Sequence, residues 1–144
     1  MIIDYAHTPD ALKKLLQSVE RGSGRITLVF GCGGDRDRSK RREMAQVASR
    51  LSDLVVVTAD NSRTEPPEQI FRDIMRGIDK EKSHVLIPDR REAIRYAIAN
   101  ARRGDTVLLA GKGHETYEIT ADGMHPFDER IIAAETLREL FPRS

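Results

Sequence analysis

The chain has 144 residues, of which 33% are charged, and its 24 basic and 23 acidic side chains leave a formal net charge of +1. This length favours one domain with a substantial core, and the near balance of charge argues against nucleic acid as a partner, because proteins that bind phosphate backbones usually carry a basic surplus. No apolar stretch approaches the roughly 20 residues that cross a bilayer, and no signal peptide is recognisable. The sequence therefore predicts neither a nucleic-acid nor a membrane partner, and its single cysteine, Cys32, fits a reducing compartment.

Strand-like and helix-like segments alternate along the chain. After a short first strand, Thr8 can cap a helix, Pro9 takes its first position, and Asp10 meets the positive end of the helix dipole. Residues 22–24, with two glycines, are predicted to end this helix. Further strands are predicted at residues 25–30, 53–58, 84–87 and 105–110. Further helices are predicted at residues 39–51 and 89–101, and two more begin at residues 65 and 128. Residues 117–120 and 124–127 are predicted to form a hairpin.

The apolar runs at 26–30, 54–57 and 107–110 are continuous, which is typical of strands covered on both faces. Strands that alternate with helices indicate βαβ units and a parallel sheet. We predict an α/β fold over residues 1–144: a Rossmann-like, mostly parallel sheet of about six strands with helices on both faces and a C-terminal hairpin. In the last helix we expect Ile131, Ile132, Ala134, Leu137 and Leu140 to face inward.

Each of five apolar runs ends in a short polar loop. In an open α/β sheet, ligands bind at the carboxyl ends of the strands, so we predict that all five loops crowd one edge and face one ligand. The loops are DYAHTPD at 4–10, GCGGDRD at 31–37, DNSR at 60–63, PDRR at 88–91 and GKGHE at 111–115.

The glycine-rich loop at 31–37 directly follows a strand. Glycine lets the backbone approach a ligand closely and point N–H groups at an anion. The loop is neither a Walker P-loop nor a dinucleotide fingerprint. A tight strand–helix turn with solvated charges is the alternative. The basic run from Arg36 to Arg42 at the start of the next helix is read as a solvated face, with an anionic partner as the alternative.

The other loops carry candidate recognition groups. Arg63 can bind a carboxylate bidentately and Asn61 can donate and accept; Lys112 offers a point charge for phosphate or carboxylate; and Glu115 suits an ammonium. Ordinary turns with solvated charges remain the alternatives for these loops.

In the first loop, Asp4 is placed to contact a ribose hydroxyl, and His7 is placed to contact a phosphate or to stack on a ring. Alternatively, Asp4 satisfies backbone donors and His7 acts as a local cap. The sequence shows no paired nucleophile and base and no zinc-ligand spacing. We therefore predict no catalytic residue and no metal ligand in this chain.

Four of these motifs, in this order, resemble the C-terminal domain of the Mur ligases, and within that family the UDP-N-acetylmuramoyl-tripeptide synthetases of the MurE class. The resemblance covers essentially the whole chain. It implies a cytoplasmic, ATP- and Mg²⁺-dependent ligase of peptidoglycan-precursor synthesis. Such an enzyme phosphorylates the D-glutamate γ-carboxylate of UDP-N-acetylmuramoyl-L-alanyl-D-glutamate, and an incoming amine attacks the acyl phosphate. The central domain, with the P-loop and most Mg²⁺ ligands, and the N-terminal domain are expected outside this chain, which alone should be inactive.

The resemblance also implies individual roles. Arg36, Asn61, Arg63, Gly111 and Glu115 match positions that bind meso-diaminopimelate: Asn61 and Arg63 at its distal carboxyl end, Arg36 at the other carboxylate and Glu115 at an ammonium. Separately, Asp4, Tyr5 and His7 match the segment near the ATP ribose and phosphates.

Ser62 departs from the family's diaminopimelate motif Asp-Asn-Pro-Arg, in which proline would fix the backbone φ angle. Relatives that add lysine lack the arginine, so Arg63 favours diaminopimelate, because a guanidinium would repel a lysine ammonium. Addition of L-lysine remains an alternative. So do another Mur-like amide ligase, such as a cyanophycin synthetase or a peptide-recycling ligase, and a stand-alone nucleotide or amino-acid binding module.

Overall fold

The computed structural model describes residues 1–19 and 24–142. In chain order the elements are β1 (Ile2–Asp4), α1 (Pro9–Ser18), β2 (Ile26–Phe30), α2 (Ser39–Leu51), β3 (Leu54–Val57), α3 (Pro67–Met75), β4 (Ser83–Leu86), α4 (Arg90–Ala99), β5 (Thr106–Ala110), β6 (Tyr117–Thr120), β7 (Gly123–Pro126) and α5 (Glu129–Leu140).

Five parallel strands form the central sheet in the order β1-β5-β2-β3-β4. The last two strands, β6 and β7, pair antiparallel as a separate hairpin. The predicted α/β class, with helices on both faces and a C-terminal hairpin, is confirmed. Because the chain alternates strand and helix until β5, every strand of the main sheet points its carboxyl end to the same edge.

Successive strand residues pack into two different cores, because side chains alternate across a sheet. Leu28, Phe30 and Leu108 lie in the core beneath α1, α2 and α3. Val29 and Leu109 lie in the opposite core, beneath α4 and α5. Burial on both faces explains the continuous apolar runs of β2, β3 and β5. Within residues 1–19 and 24–142, no helix is long and apolar enough to cross a membrane.

The predicted starts of α1, α4 and α5 are confirmed by their capping hydrogen bonds. The side chain of Thr8 accepts from the backbone N–H of Ala11 at 3.2 Å. Asp89 and Asp128 accept in the same way at the starts of α4 and α5. These bonds satisfy backbone donors that the first helical turn leaves without partners. The predicted end of the first helix at residues 22–24 falls largely outside the described residues.

The prediction for α5 was wrong in its choice of face. Ile132 is buried as predicted, but Ile131, Ala134, Leu137 and Leu140 are exposed, and the helix buries Glu129, Ala133 and Thr136 with Ile132. The buried set has the spacing i, i+3, i+4, i+7 of a helix face. It includes a carboxylate because Glu129 forms a buried ion pair with Arg90 of α4, at 3.0 Å. Apolar residues alone therefore could not identify this face.

Candidate functional site

A cavity of about 430 Å³ opens at the carboxyl ends of β1, β2, β3 and β5, a size typical of small-molecule sites. Four of the five predicted loops meet there. Of the predicted site residues, Asp4 and Lys112 do not line the cavity, and the structure brings together there the following seven: Tyr5, His7, Arg36, Asn61, Arg63, Gly111 and Glu115.

Asp4 does not line the cavity. Its carboxylate accepts from the backbone N–H of Ala6 at 2.8 Å, and its carbonyl accepts from the N–H of Gly111 at 3.0 Å. The Tyr5 and His7 rings lie at the rim, exposed, with their centroids 4.7 Å apart. Asp4 therefore shapes the first loop, whereas Tyr5 and His7 remain open to a ligand.

The loops 31–37 and 60–64 are joined by a set of short hydrogen bonds. The N–H of Gly34 donates to the carbonyl of Asn61 at 3.0 Å, and Arg63 Nη1 donates back to the carbonyl of Gly34 at 3.0 Å. The Asp35 carboxylate accepts from the Thr64 hydroxyl at 2.7 Å, and this bond lowers the pKa of Asp35. Two segments about thirty residues apart in sequence thus form one rigid wall of the cavity.

This wall contains unusual backbone conformations. Asp35, Asn61 and Arg63 have φ angles of +56°, +33° and +52°, in the left-handed region that non-glycine residues rarely adopt. Such backbone strain is concentrated in ligand-binding loops. Because Arg63 also donates its backbone N–H to the carbonyl of Ile119 at 3.1 Å, its position is fixed without the proline that Ser62 replaces.

Arg41 supports the glycine-rich loop from below. It is buried and donates to the Gly33 carbonyl at 3.1 Å and to the carboxylates of Glu65 and Asp73 at 2.6 and 3.0 Å. Its hydrogen bonds lower the pKa of Glu65 to about 2. The reading of the basic run as a solvated helix face was therefore wrong for Arg41, although Arg36 and Lys40 are exposed.

Lys112 is buried and does not offer its charge to a ligand, contrary to the sequence prediction. Its Nζ donates to Asn61 Oδ1 at 3.0 Å and to the carbonyl of Tyr117 at 2.9 Å. The carboxylates of Asp60 and Glu115 lie 3.6 and 3.7 Å from the same Nζ. The ammonium is thus satisfied within the protein.

The fourth loop, at 88–91, does not join the site, so the prediction that all five loops face one ligand was wrong. Arg90 is buried, with its Nη1 and Nη2 donating to the carbonyls of Ala59 and Ala110 at 2.9 and 3.0 Å. These carbonyls immediately precede the loops at 60 and 111, so Arg90 supports those loops from the opposite face. Pro88 and Asp89 line a separate groove beside α3.

The polar groups that face the cavity are of two kinds. Arg36 is exposed, and within residues 1–19 and 24–142 it donates only to the carbonyl of its neighbour Asp35, so its guanidinium is available to an anion. The Glu115 carboxylate is partly exposed and raises the pKa of Tyr117, whose hydroxyl lies 3.4 Å away. A ligand with separate anionic and cationic groups fits this arrangement.

The cavity wall contains a thiol, that of Cys32, which is not reactive. Burial raises the pKa of Cys32 to about 12, and its Sγ packs 3.8 Å from the sulfur of Met44, so the thiol is not a nucleophile. In the parts of the chain that the structure describes, no group of three or more His, Cys, Asp or Glu side chains is arranged to bind a metal ion.

The fold belongs to a known family. The family model described as Mur ligase, glutamate ligase domain, matches residues 1–113. The chain therefore belongs to this family, as its loop motifs indicated.

Particular relatives are also similar. The chain is 56% identical over 141 residues to the UDP-N-acetylmuramoyl-L-alanyl-D-glutamate--2,6-diaminopimelate ligase of Syntrophomonas wolfei, covering 96% of this chain and 29% of that protein. It is 52% identical to the enzyme of the same name from Geobacillus kaustophilus, with the same coverage. A solved structure of such a ligase superposes with a TM-score of 0.91 at 46% identity, covering 95% of this chain and 28% of that one. The chain thus spans less than a third of the length of these relatives.

Proposed function

We propose that this chain is the C-terminal domain of a cytoplasmic, ATP-dependent ligase that adds meso-diaminopimelate to UDP-N-acetylmuramoyl-L-alanyl-D-glutamate. The observation that carries the proposal is that cationic and amide donors line the same cavity as a carboxylate acceptor. Arg36, Arg63 and the Asn61 amide nitrogen supply donors, and Glu115 supplies a carboxylate. The relatives named above share this domain and are named for the same reaction.

The proposed roles follow from the chemistry of each group. Arg63 and Asn61 bind the distal carboxylate of diaminopimelate, Arg36 binds the other carboxylate, and Glu115 binds the distal ammonium. Gly111 permits close approach of the amino acid because it has no side chain. L-lysine lacks a carboxylate at its distal end, so the Arg63 guanidinium would be left without an anionic partner beside the lysine ammonium and would repel it, and lysine is rejected.

The remaining chemistry is assigned to the rest of the proposed enzyme. ATP activates the D-glutamate γ-carboxylate as an acyl phosphate, with Mg²⁺ as the counter-ion. Tyr5 and His7, which are exposed at the rim, are the residues of this chain proposed to contact the nucleotide. No metal step is assigned to the residues of this chain. Their contribution is to bind and orient the incoming amine against the acyl group.

The test is amino-acid-dependent phosphate release by the full-length ligase that carries this domain, with ATP, Mg²⁺ and the UDP-muramoyl dipeptide. We expect release with meso-diaminopimelate and not with L-lysine. Release with lysine instead would keep the ligase class and overturn the reading of Arg63. No release with either amino acid would overturn the proposed function, in favour of another ligase or a binding module.

We expect Arg63→Ala to lower kcat/KM for diaminopimelate by about 100-fold or more, because a charge-assisted contact in a partly buried site is lost. The fold should persist, since the Arg63 side chain is not part of either core. Arg76→Ala, which removes an exposed guanidinium outside the cavity, is the matched control and should leave kcat/KM unchanged. An unchanged kcat/KM in Arg63→Ala would remove Arg63 from the site.

A further inference from the structure

The buried Lys112 ammonium lies behind the cavity and contacts two predicted site residues without reaching the cavity itself. Its Nζ donates hydrogen bonds to Asn61 Oδ1 at 3.0 Å and to the carbonyl of Tyr117 at 2.9 Å. The carboxylates of Asp60 and Glu115 lie 3.6 and 3.7 Å from the same Nζ. The Phe127 ring, 5.6 Å from Nζ, closes another side. The side chain is completely buried, so a ligand in the cavity does not contact it.

These contacts determine which way the Asn61 amide points. Asn61 Oδ1 accepts from Lys112 Nζ and from the backbone N–H of Ile119, both at 3.0 Å. Because both neighbours are donors, the amide cannot reverse without placing its own N–H groups against them. The amide nitrogen is therefore directed to Glu115, 3.4 Å from Oε1. Its second N–H is left for an acceptor on a ligand.

The charges point to the same arrangement. Asp60 and Glu115 place two carboxylates against the one ammonium of Lys112. A ligand ammonium at Glu115 would add a second cation to this group. Without Lys112, two carboxylates would share a poorly solvated space with no cation between them, which is unfavourable.

We propose that Lys112 is a positioning residue of the amino-acid site: it orients Asn61 with its amide nitrogen toward the ligand and supports the charge of Glu115. This inference rests on the proposed function, because it takes diaminopimelate as the ligand. It assigns to Lys112 an effect on amino-acid binding that operates chiefly through Asn61, with a smaller part through Glu115, and without contact between Lys112 and substrate.

The first arm of the test uses kinetics of the full-length ligase. We expect Lys112→Met to raise the KM for diaminopimelate about tenfold or more, with the KM for ATP unchanged. In an Asn61→Ala background the same substitution should raise this KM by less than about threefold, because the residue through which Lys112 acts is already absent. Equal increases in both backgrounds would overturn the proposal.

A control separates positioning from general loss of stability. Ile98→Ala opens a cavity in the core beneath α4, remote from the site, and should lower the melting temperature while leaving the KM for diaminopimelate unchanged. Lys112→Gln, which keeps an amide donor but loses the charge, is measured in parallel in case Lys112→Met does not fold. We expect its KM to lie between those of the wild type and Lys112→Met, and a wild-type KM would overturn the proposal.

The second arm needs no ligase activity. In the 144-residue chain, the side-chain amide protons of Asn61 are identified by NMR from the signals that Asn61→Ala removes. We expect them to exchange with solvent about tenfold faster in Lys112→Met or Lys112→Gln, because the restraint on the amide is lost. Unchanged exchange would overturn the role of Lys112. Failure of the wild-type ligase to use any amino acid would instead overturn the proposed function alone.

Discussion

At the scale of the single residue, Gly111 is sensitive to the addition of a single methyl group. Its φ is +114°, and a Cβ built there would lie 2.6 Å from Asp60 Oδ2. Gly123, in the hairpin turn, has a similar φ of +120° but open space around it. An alanine at either position would adopt a strained backbone conformation, but only the methyl group at position 111 would also clash with a neighbour, Asp60.

We expect Gly123→Ala to lower the free energy of unfolding by about 1–3 kcal/mol from backbone strain. Gly111→Ala should lose a further ~1–3 kcal/mol, because the new methyl group displaces Asp60. Urea denaturation of both variants measures the difference. Equal losses in the two variants would show that Asp60 moves away at no cost, contrary to its fixed position beside Lys112.

Sequence reasoning located the residues at strand ends but not their supporting charges. Parallel strands end at one edge of the sheet, and this rule, which needs no knowledge of side-chain contacts, correctly predicted that four residues share one cavity: Arg36, Asn61, Arg63 and Glu115. Arg41 was missed because its partners, Glu65 and Asp73, lie 24 and 32 residues away. Local charge patterns cannot distinguish a buried arginine with remote partners from a solvated one.

At the scale of the element, the ion pair of Arg41 with Glu65 joins α2 to the loop that precedes α3. The pKa of Glu65 falls from 4.5 to about 2, chiefly through hydrogen bonds from Arg41. Since the pKa is lower in the folded state, the stabilisation is complete above about 4.5 and is lost as the pH falls toward 2.

We expect Glu65→Gln to lower the free energy of unfolding at neutral pH by about 3 kcal/mol, because Arg41 stays buried with a weakened set of partners. The variant should also lose less stability than the wild type on acidification from pH 4.5 to about 2. Glu68→Gln, at an exposed position of α3, is the control and should follow the wild type. Parallel acid profiles for Glu65→Gln and the wild type would contradict the assignment.

The helices show where local sequence is sufficient. Thr8, Asp89 and Asp128 were correctly predicted as caps because the capping bond joins residues two or three positions apart. The buried face of α5 was predicted wrongly, since Glu129 turns inward to reach Arg90, 39 residues earlier. An inward-facing carboxylate is decided by its tertiary partner and not by hydrophobic periodicity.

At the scale of the whole molecule, the α/β class followed from the alternation of strands and helices, but the strand order did not. The sequence contains no local feature that places β5 between β1 and β2. That placement is what brings the loop at 111–115 next to both the first loop and the glycine-rich loop. The cavity is therefore a product of topology as much as of its residues.

A ligand that contacts three loops should protect all of them together. In the full-length ligase, we expect meso-diaminopimelate to slow hydrogen exchange in residues 31–37, 60–64 and 111–116 by up to about 100-fold at roughly 100 times its Kd. The helices α4 and α5, on the opposite face, serve as an internal control and should not respond. Protection confined to one loop would contradict a shared site.

The left-handed backbone at Asn61 and Arg63 creates a trade-off between the stability of the domain and its proposed ligand recognition. Each such residue costs about 1–2 kcal/mol that glycine would avoid, yet each carries a side chain proposed to bind the amino acid. A selection for heat resistance alone would therefore favour glycine at these two positions and discard the recognition that they supply. In this loop, a substitution by glycine that gains stability also removes a side chain proposed to bind the amino acid.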